Sequence, residues 1–202
     1  MDLEKRIKAH RDLLSGICCP ERKVNPVTLE QVLLLAIEIS REGREGKKIG
    51  TMFVISDTEE VLKRSRPLIL DPLFGHPPSK KIVSDRNARE TIKELSQLDG
   101  AFLVSDEGIF LSACRYINAT SEGIKLPLGL GSRHMAAASI TRETNAVAVV
   151  LSESSMIRIF DNGEIIGEII PELWMLRQYA ANLGESENND FKEELSVVNK
   201  GD

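Results

Sequence analysis

The sequence predicts an α/β fold: a single domain with one mixed central β-sheet and helices on both of its faces. Three observations predict it. The run Ile49–Ser56 is dense in β-branched and apolar residues, as a strand buried on both faces is, and Ala146–Leu151 reads as a further strand. Helical periodicities separate the early strand-like runs. The late runs follow one another across short polar turns and therefore read as hairpins.

In chain order, Leu3, Ile7, Leu13, Leu14 and Ile17 trace one face of a first helix that ends near Gly16 and Pro20. Asn25-Pro26 breaks the chain. Thr28 with Gln31 then reads as a capping box opening a helix through Leu29, Val32, Leu33, Ala36, Ile37 and Ile39, which runs out at Gly43 and Gly46. The buried strand 49–56 follows, and Asp57-Thr58-Glu59-Glu60 starts a short helix. Residues 66–79, with four prolines and a glycine, are read as a loop that packs near the functional site. Ser84 or Asp85 caps a helix through Ala88, Ile92 and Leu95. Strands over 100–105 and 108–117 are joined by Asp106-Glu107-Gly108. A second loop, 118–130, leads into a helix from Ser132. Strands over 146–151, 156–160 and 164–170 come next, the last two joined by Asp161-Asn162-Gly163, and Pro171 opens a final helix with Trp174 and Leu176.

Composition narrows the function classes. With 42% hydrophobic and 28% charged residues, the 202-residue chain has the balance of a soluble globular protein. The apolar run Val32–Ile37 is far short of the roughly 18 residues a membrane span needs. The opening MDLEKRIKAH lacks the apolar core of a signal peptide, so a cytoplasmic location without a membrane partner is expected. Cys18, Cys19 and Cys114 fit neither zinc nor disulfide spacing and read as free thiols. The net charge of −5 argues against a nucleic-acid partner. Residues 184–202 hold six acids and two bases, leaving the body nearly neutral, and read as a solvated, mobile tail.

Three segments carry candidate chemistry. In Gly129-Leu130-Gly131-Ser132-Arg133-His134-Met135, the glycines let the backbone approach a ligand and Ser132 reads as the cap of a helix whose N–H groups and dipole attract an anion. Arg133 adds a fork suited to phosphate oxygens, and His134 a further donor. Asp99-Gly100-Ala101 opens a buried strand with a carboxylate at its mouth, able to hold a hard cation or accept a hydroxyl proton. Ser152-Glu153-Ser154 places another acid and two hydroxyls between strands. Alone, the first fits a capped surface helix equally well, and the other two fit a turn aspartate and a hairpin loop better. Together they suggest a site for a metal-bound polyphosphate.

Asp-Gly-Ala about thirty residues before Gly-Ser-Arg-His, with Ser-Glu some twenty further on, resembles the diadenylate cyclase domain. That domain opens the DNA-integrity scanning protein and forms the cytoplasmic part of the membrane-bound cyclases. The similarity runs from about Thr28 to Trp174 and includes Cys114-Arg115-Tyr116-Ile117 and Ala136-Ala137-Ala138. It divides the chain into a helical extension (1–27), the cyclase domain (28–176) and a helix end with the acidic tail (177–202), a layout similar to stand-alone archaeal cyclases. The resemblance implies condensation of two ATP into cyclic di-AMP with release of two pyrophosphates, across a face-to-face homodimer or a higher assembly of such dimers. It implies that Asp99 activates the 3′-hydroxyl, that Gly100 and Ala101 lie against the nucleotide, and that Gly131, Ser132, Arg133 and His134 hold phosphates. Ser152 then contacts phosphate, and Glu153 with Asp99 ligates Mg²⁺ or Mn²⁺. Tyr116, as a ring to stack, and Ile117, as backbone, receive the adenine. The sequence departs from the family at Met135, where a second Arg is usual, and at Leu98, where some members carry a metal-binding His. An inactive sensor of ATP or cyclic di-AMP is the alternative.

Overall fold

The structure, a computed structural model, describes residues 14, 16–20, 22–120, 122–176 and the backbone of 197–199. The helix expected over 3–17 falls mostly outside these residues, although Leu14 and Ile17 are described and fully buried.

Helix α1 spans Pro26–Glu42. Its cap is Asn25, whose side chain accepts from Val27 N, with Pro26 in the first turn where a missing N–H costs nothing. The expected Thr28–Gln31 capping box is therefore replaced by the Asn25-Pro26 pair, and Thr28 instead donates its hydroxyl to Asp106 O. Strand β1, Thr51–Ile55, is buried throughout. Helix α2, Thr58–Lys63, and strand β2, Ser65–Pro67, follow; the sequence had assigned Arg66 and Pro67 to a loop. Asp85 accepts from Ala88 N and caps α3, Arg86–Leu95. Strands β3, Ala101–Val104, and β4, Phe110–Ile117, lead to α4, Ser132–Glu143. Strands β5, Val147–Leu151, β6, Ile157–Asp161, and β7, Glu164–Ile169, complete the meander. Residues 171–176 are helical, and Trp174 is buried.

The strands form one sheet in the order β2-β4-β3-β1-β5-β6-β7-β8. Only β1 and β3 run parallel; every other pair is antiparallel. The last strand, β8, is Val197–Asn199, paired with β7. That segment of the expected solvated tail thus belongs to the sheet edge, and the rest of the tail lies outside the described residues.

The two faces of the sheet are filled separately, because successive residues of a strand point to opposite sides. On one side Phe53, Phe102 and Phe110 pack together, with Phe53 and Phe102 stacked at 5.2 Å between ring centroids, under α1 and Ile92 of α3. On the other side Met52, Val54, Ala101, Leu103, Ala148 and Val150 meet the alanine-rich face of α4. Small residues there, Ala137 and Ala138 above all, let the helix lie close to the sheet. Lys93, almost fully buried on α3, donates to Glu38 and Glu42 of α1 and to Glu90 at 3.0–3.1 Å. This fastens α3 to α1 and so fixes the short segment that delivers Asp99 to β3.

Candidate functional site

The start of α4, the starts of parallel β1 and β3, and the end of β5 converge at one end of the sheet. A cavity of about 460 Å³ opens there, walled by Met52, Asp99-Gly100-Ala101, Arg115–Ile117, Leu68 and the first turn of α4. Its size is ordinary for a small-molecule site.

Glycines make the convergence possible at two positions. Gly100 has φ +106°, and a Cβ there would lie 2.6 Å from the Cys114 carbonyl carbon and 2.8 Å from Arg115 N. The approach is this close because β4 bulges: Ala101 pairs with Arg115 while Leu103 pairs with Ser112, and Cys114 takes a positive φ of 54° between them. Gly50, just before β1, would carry a Cβ 3.0 Å from Arg133 Nη1 and 3.2 Å from Glu153 Cγ. A side chain at Gly50 would push Arg133 and Glu153 away from each other's neighbourhood.

Arg133 is the hub. Its Nη2 donates to Asp99 Oδ1 at 2.9 Å, and its Nη1 lies 3.9 Å from Glu153 Oε1. The three segments singled out in the sequence therefore meet at one guanidinium. Both carboxylates remain largely exposed, at 88% and 76%, and open to a ligand. Helix α4 begins with Gly131 as its cap, in extended conformation and with no side-chain bond. The expected Ser132 cap is corrected: Ser132 is the first helical residue, no side chain caps this turn, His134 N donates back to Gly131 O at 3.1 Å, and Ser132 and Arg133 wall the cavity. Such a terminus favours an anion.

Of the expected site residues, Gly131, His134, Ser152 and Glu153 do not wall the cavity, whereas Tyr116 does. His134 is buried, its ring 6.1 Å from that of Phe160 and its Nε2 3.3 Å from Arg158 Nη1, and it does not wall the cavity. Arg133 reaches the cavity wall while the next residue, His134, packs inward against Phe160 and Arg158. Burial, with Arg158 and Arg133 beside it, pulls the His134 pKa down to about 4, so the ring is neutral. Because a guanidinium only donates, Nε2 must accept and Nδ1 carries the hydrogen; Nδ1 has no partner among the described residues. Ser152 bonds within its own turn, to Ser154 Oγ and Met156 O, and leaves the wall to others. Tyr116 turns its ring to the other face of β4. It pairs with Arg66, whose guanidinium lies 4.7 Å from the ring centroid, while its neighbours Arg115 and Ile117 share the α4 side with Ser65 and Ala101. Tyr116 and Ile117 both border the cavity.

The expected loop over 66–79 does pack at the site. Leu68 N donates to Cys114 O, and the Asp71 carboxylate accepts from Ser112 Oγ, Ala113 N and Leu73 N. Among the described residues no three His, Cys, Asp or Glu side chains gather as a metal cage. Asp99 and Glu153 nevertheless fit a hard cation that takes its other ligands from water and phosphate oxygens, as Mg²⁺ and Mn²⁺ do. The three cysteines are free thiols, as expected.

The family model described as DisA bacterial checkpoint controller nucleotide-binding (DAC) matches residues 38–165, more than half of the chain. The chain belongs to the DAC family. The matched span of this DAC chain contains Asp99, Arg133 and Glu153. A protein of Methanocaldococcus jannaschii named diadenylate cyclase is 48% identical over 145 residues, covering 71% of this chain and 46% of that protein. A second of that name, from Haloferax volcanii, is 40% identical over 172 residues, covering 84% and 63% respectively. The chain thus spans roughly half to under two thirds of the lengths of these relatives. The crystal structure of a hypothetical membrane-spanning protein of Bacillus cereus shares the fold, with a TM-score of 0.53 at 15% identity over 80% of this DAC chain and 70% of that one. No helix among the described residues is long and apolar enough to cross a membrane.

Proposed function

We propose that the chain is a diadenylate cyclase that condenses two ATP into cyclic di-AMP and releases two pyrophosphates. The observation that carries this reading is the meeting of Asp99, Arg133 and Glu153 at the uncapped start of α4, beside a nucleotide-sized cavity. The names of the archaeal relatives support it.

The 3′-hydroxyl of each ATP attacks the α-phosphorus of the other; a P–O bond forms, and the bond to the leaving pyrophosphate breaks. Asp99 accepts the hydroxyl proton, which its exposure at the mouth of the cavity allows. Arg133 exchanges its contact with Asp99 for phosphate oxygens, and the first-turn N–H groups of α4 take up charge on the same group. Asp99 and Glu153 would hold Mg²⁺ or Mn²⁺, which supplies charge neutralisation on the pyrophosphate side. Ile117 and Leu68 offer apolar wall to the base, and Gly100-Ala101 a surface without bulk. One cavity holds one ATP, so the reacting pair requires a second copy of the chain facing the first across a two-fold axis. His134 serves as a buried, neutral support for the α4 start.

Incubation of the chain with ATP and Mg²⁺ or Mn²⁺, followed by chromatographic detection of nucleotides, tests this. Cyclic di-AMP is expected. ATP binding without pyrophosphate release, with the protein folded and dimeric, would replace the cyclase by the sensor that the uncharged Met135 in the cavity wall favours.

A further inference from the structure

One charged residue of the cavity is unmatched. The register of the sheet places Pro67, Arg115, Ala101, Met52, Val150, Arg158 and Glu168 in a single row running beneath α4. The row carries two arginines, one on either flank of a small apolar floor. Arg158 is matched on the spot: its Nε donates to Glu168 Oε1 at 2.5 Å. Arg133, above the row, has Asp99 and Glu153. Arg115 has no carboxylate partner among the described residues.

Its guanidinium is nevertheless held in place. Nε donates to Ser65 Oγ at 2.8 Å and Nη2 to Ser65 O at 3.0 Å, and the Ser65 hydroxyl is itself fixed by donating to Val61 O at 2.7 Å. Nη1 makes no hydrogen bond to the described residues. The acid that Arg115 senses, Asp71, already accepts three hydrogen bonds from Ser112, Ala113 and Leu73. Partial burial pulls the Arg115 pKa below the ordinary arginine value, and the Asp71 charge only partly offsets it. A fold keeps a rigid, half-buried cation beside a cavity at a desolvation cost, and an anion entering the cavity offsets that cost. Among the described residues that wall the cavity, the cations are Arg115 and Arg133.

We propose that Arg115 is a second phosphate-binding cation of the cavity, using its free Nη1–H to hold a non-bridging phosphate oxygen of the bound nucleotide alongside Arg133. The proposal rests on the nucleotide reading above. It assigns the oxygen to phosphate because a neutral base edge would leave the guanidinium charge uncompensated. Because Ser65 already fixes the fork, little side-chain freedom is lost on binding.

Calorimetric titration of ATP into the wild-type chain, Arg115→Gln and Arg115→Lys, each at several salt concentrations, tests it. Loss of a hydrogen bond to a charged group predicts an affinity about 10- to 100-fold weaker for Arg115→Gln. The salt dependence of binding should be shallower in that variant, because one ion contact is gone, and Arg115→Lys should recover part of both. Unchanged affinity in Arg115→Gln would overturn the proposal. A weaker affinity with the wild-type salt dependence would also overturn it, because that pattern belongs to lost packing. A wild-type chain that binds no ATP removes the nucleotide reading itself, whereas wild-type binding with an indifferent Arg115→Gln removes this inference alone.

Discussion

Asp99→Asn separates the chemistry of the site from its stability. Among the described residues the Asp99 side chain has one hydrogen bond, from Arg133 Nη2 at 2.9 Å, and it is 88% exposed. A pair this exposed contributes at most about 1 kcal/mol. For a domain of this size that corresponds to a melting shift of about 2–4 °C at most. The asparagine carbonyl still accepts from Arg133, and Glu153 still lies 3.9 Å from Nη1, so the start of α4 keeps its position. ATP binding should persist, since the substitution removes a negative charge from beside the phosphates. Turnover should fall by about 10²–10⁴-fold, the usual loss when a positioned proton acceptor is removed. Pyrophosphate release in a coupled assay, ATP affinity by calorimetry and a thermal melt read the three quantities separately. Turnover within about threefold of wild type would refute the role given to Asp99, because a positioned base contributes far more than that. A collapse of the melting temperature would refute the account of its contacts.

Further outcomes follow from other residues of the site. Arg133→Ala should weaken ATP binding and turnover together, and an unchanged Michaelis constant would count against contact with phosphate. Gly100→Ala forces a residue with φ +106° to carry a Cβ 2.6 Å from backbone, so strain of about 1–3 kcal/mol plus the clash should lower the melting temperature well beyond the Asp99→Asn effect; an unshifted melt would show that β3 and β4 are not so tightly apposed. The folded-state pKa of His134, about 4, lies below its unfolded value of about 6.5. The unfolded chain therefore binds about one proton more between these values, and stability from this group, complete above pH 6.5, is lost as the pH falls toward 4. His134→Gln should flatten that part of the stability profile, and an identical acid slope would show that His134 is not the group responsible.

The sheet was legible because its strands are dense β-branched runs buried on both faces, as Thr51–Ile55 and Val147–Leu151 are. Short edge strands were not: Ser65–Pro67 contains a proline, and Val197–Asn199 sits in an acidic stretch. The helix cap was misplaced at Thr28 because Asn25-Pro26 reads equally as a break and as a cap followed by an N1 proline. Asp99, Arg133 and Glu153 were legible as separate segments, each beside a strand or helix end, and the fold brings them to one point. Orientation was not legible. Arg133 and His134 are adjacent and read as a pair, but the fold sets Arg133 in the cavity wall and buries His134. The side chosen by Tyr116 and Arg115 depends on a bulge at Cys114, which a sequence shows only as an unremarkable residue in a strand. Arg115 did leave a signal, since an arginine within an otherwise apolar strand needs a partner or a ligand.

The central claim is that two facing copies of this cavity, each holding one ATP, join the two nucleotides. Phosphorus NMR of the chain incubated with ATP and Mg²⁺ or Mn²⁺ tests it most directly, because pyrophosphate and the phosphodiester product are counted in one sample. Two pyrophosphates should appear for each cyclic di-AMP, with no signal from ADP or inorganic phosphate growing alongside. ATP left intact by a folded, ATP-binding protein under both metals, or converted to ADP and phosphate, would contradict the account.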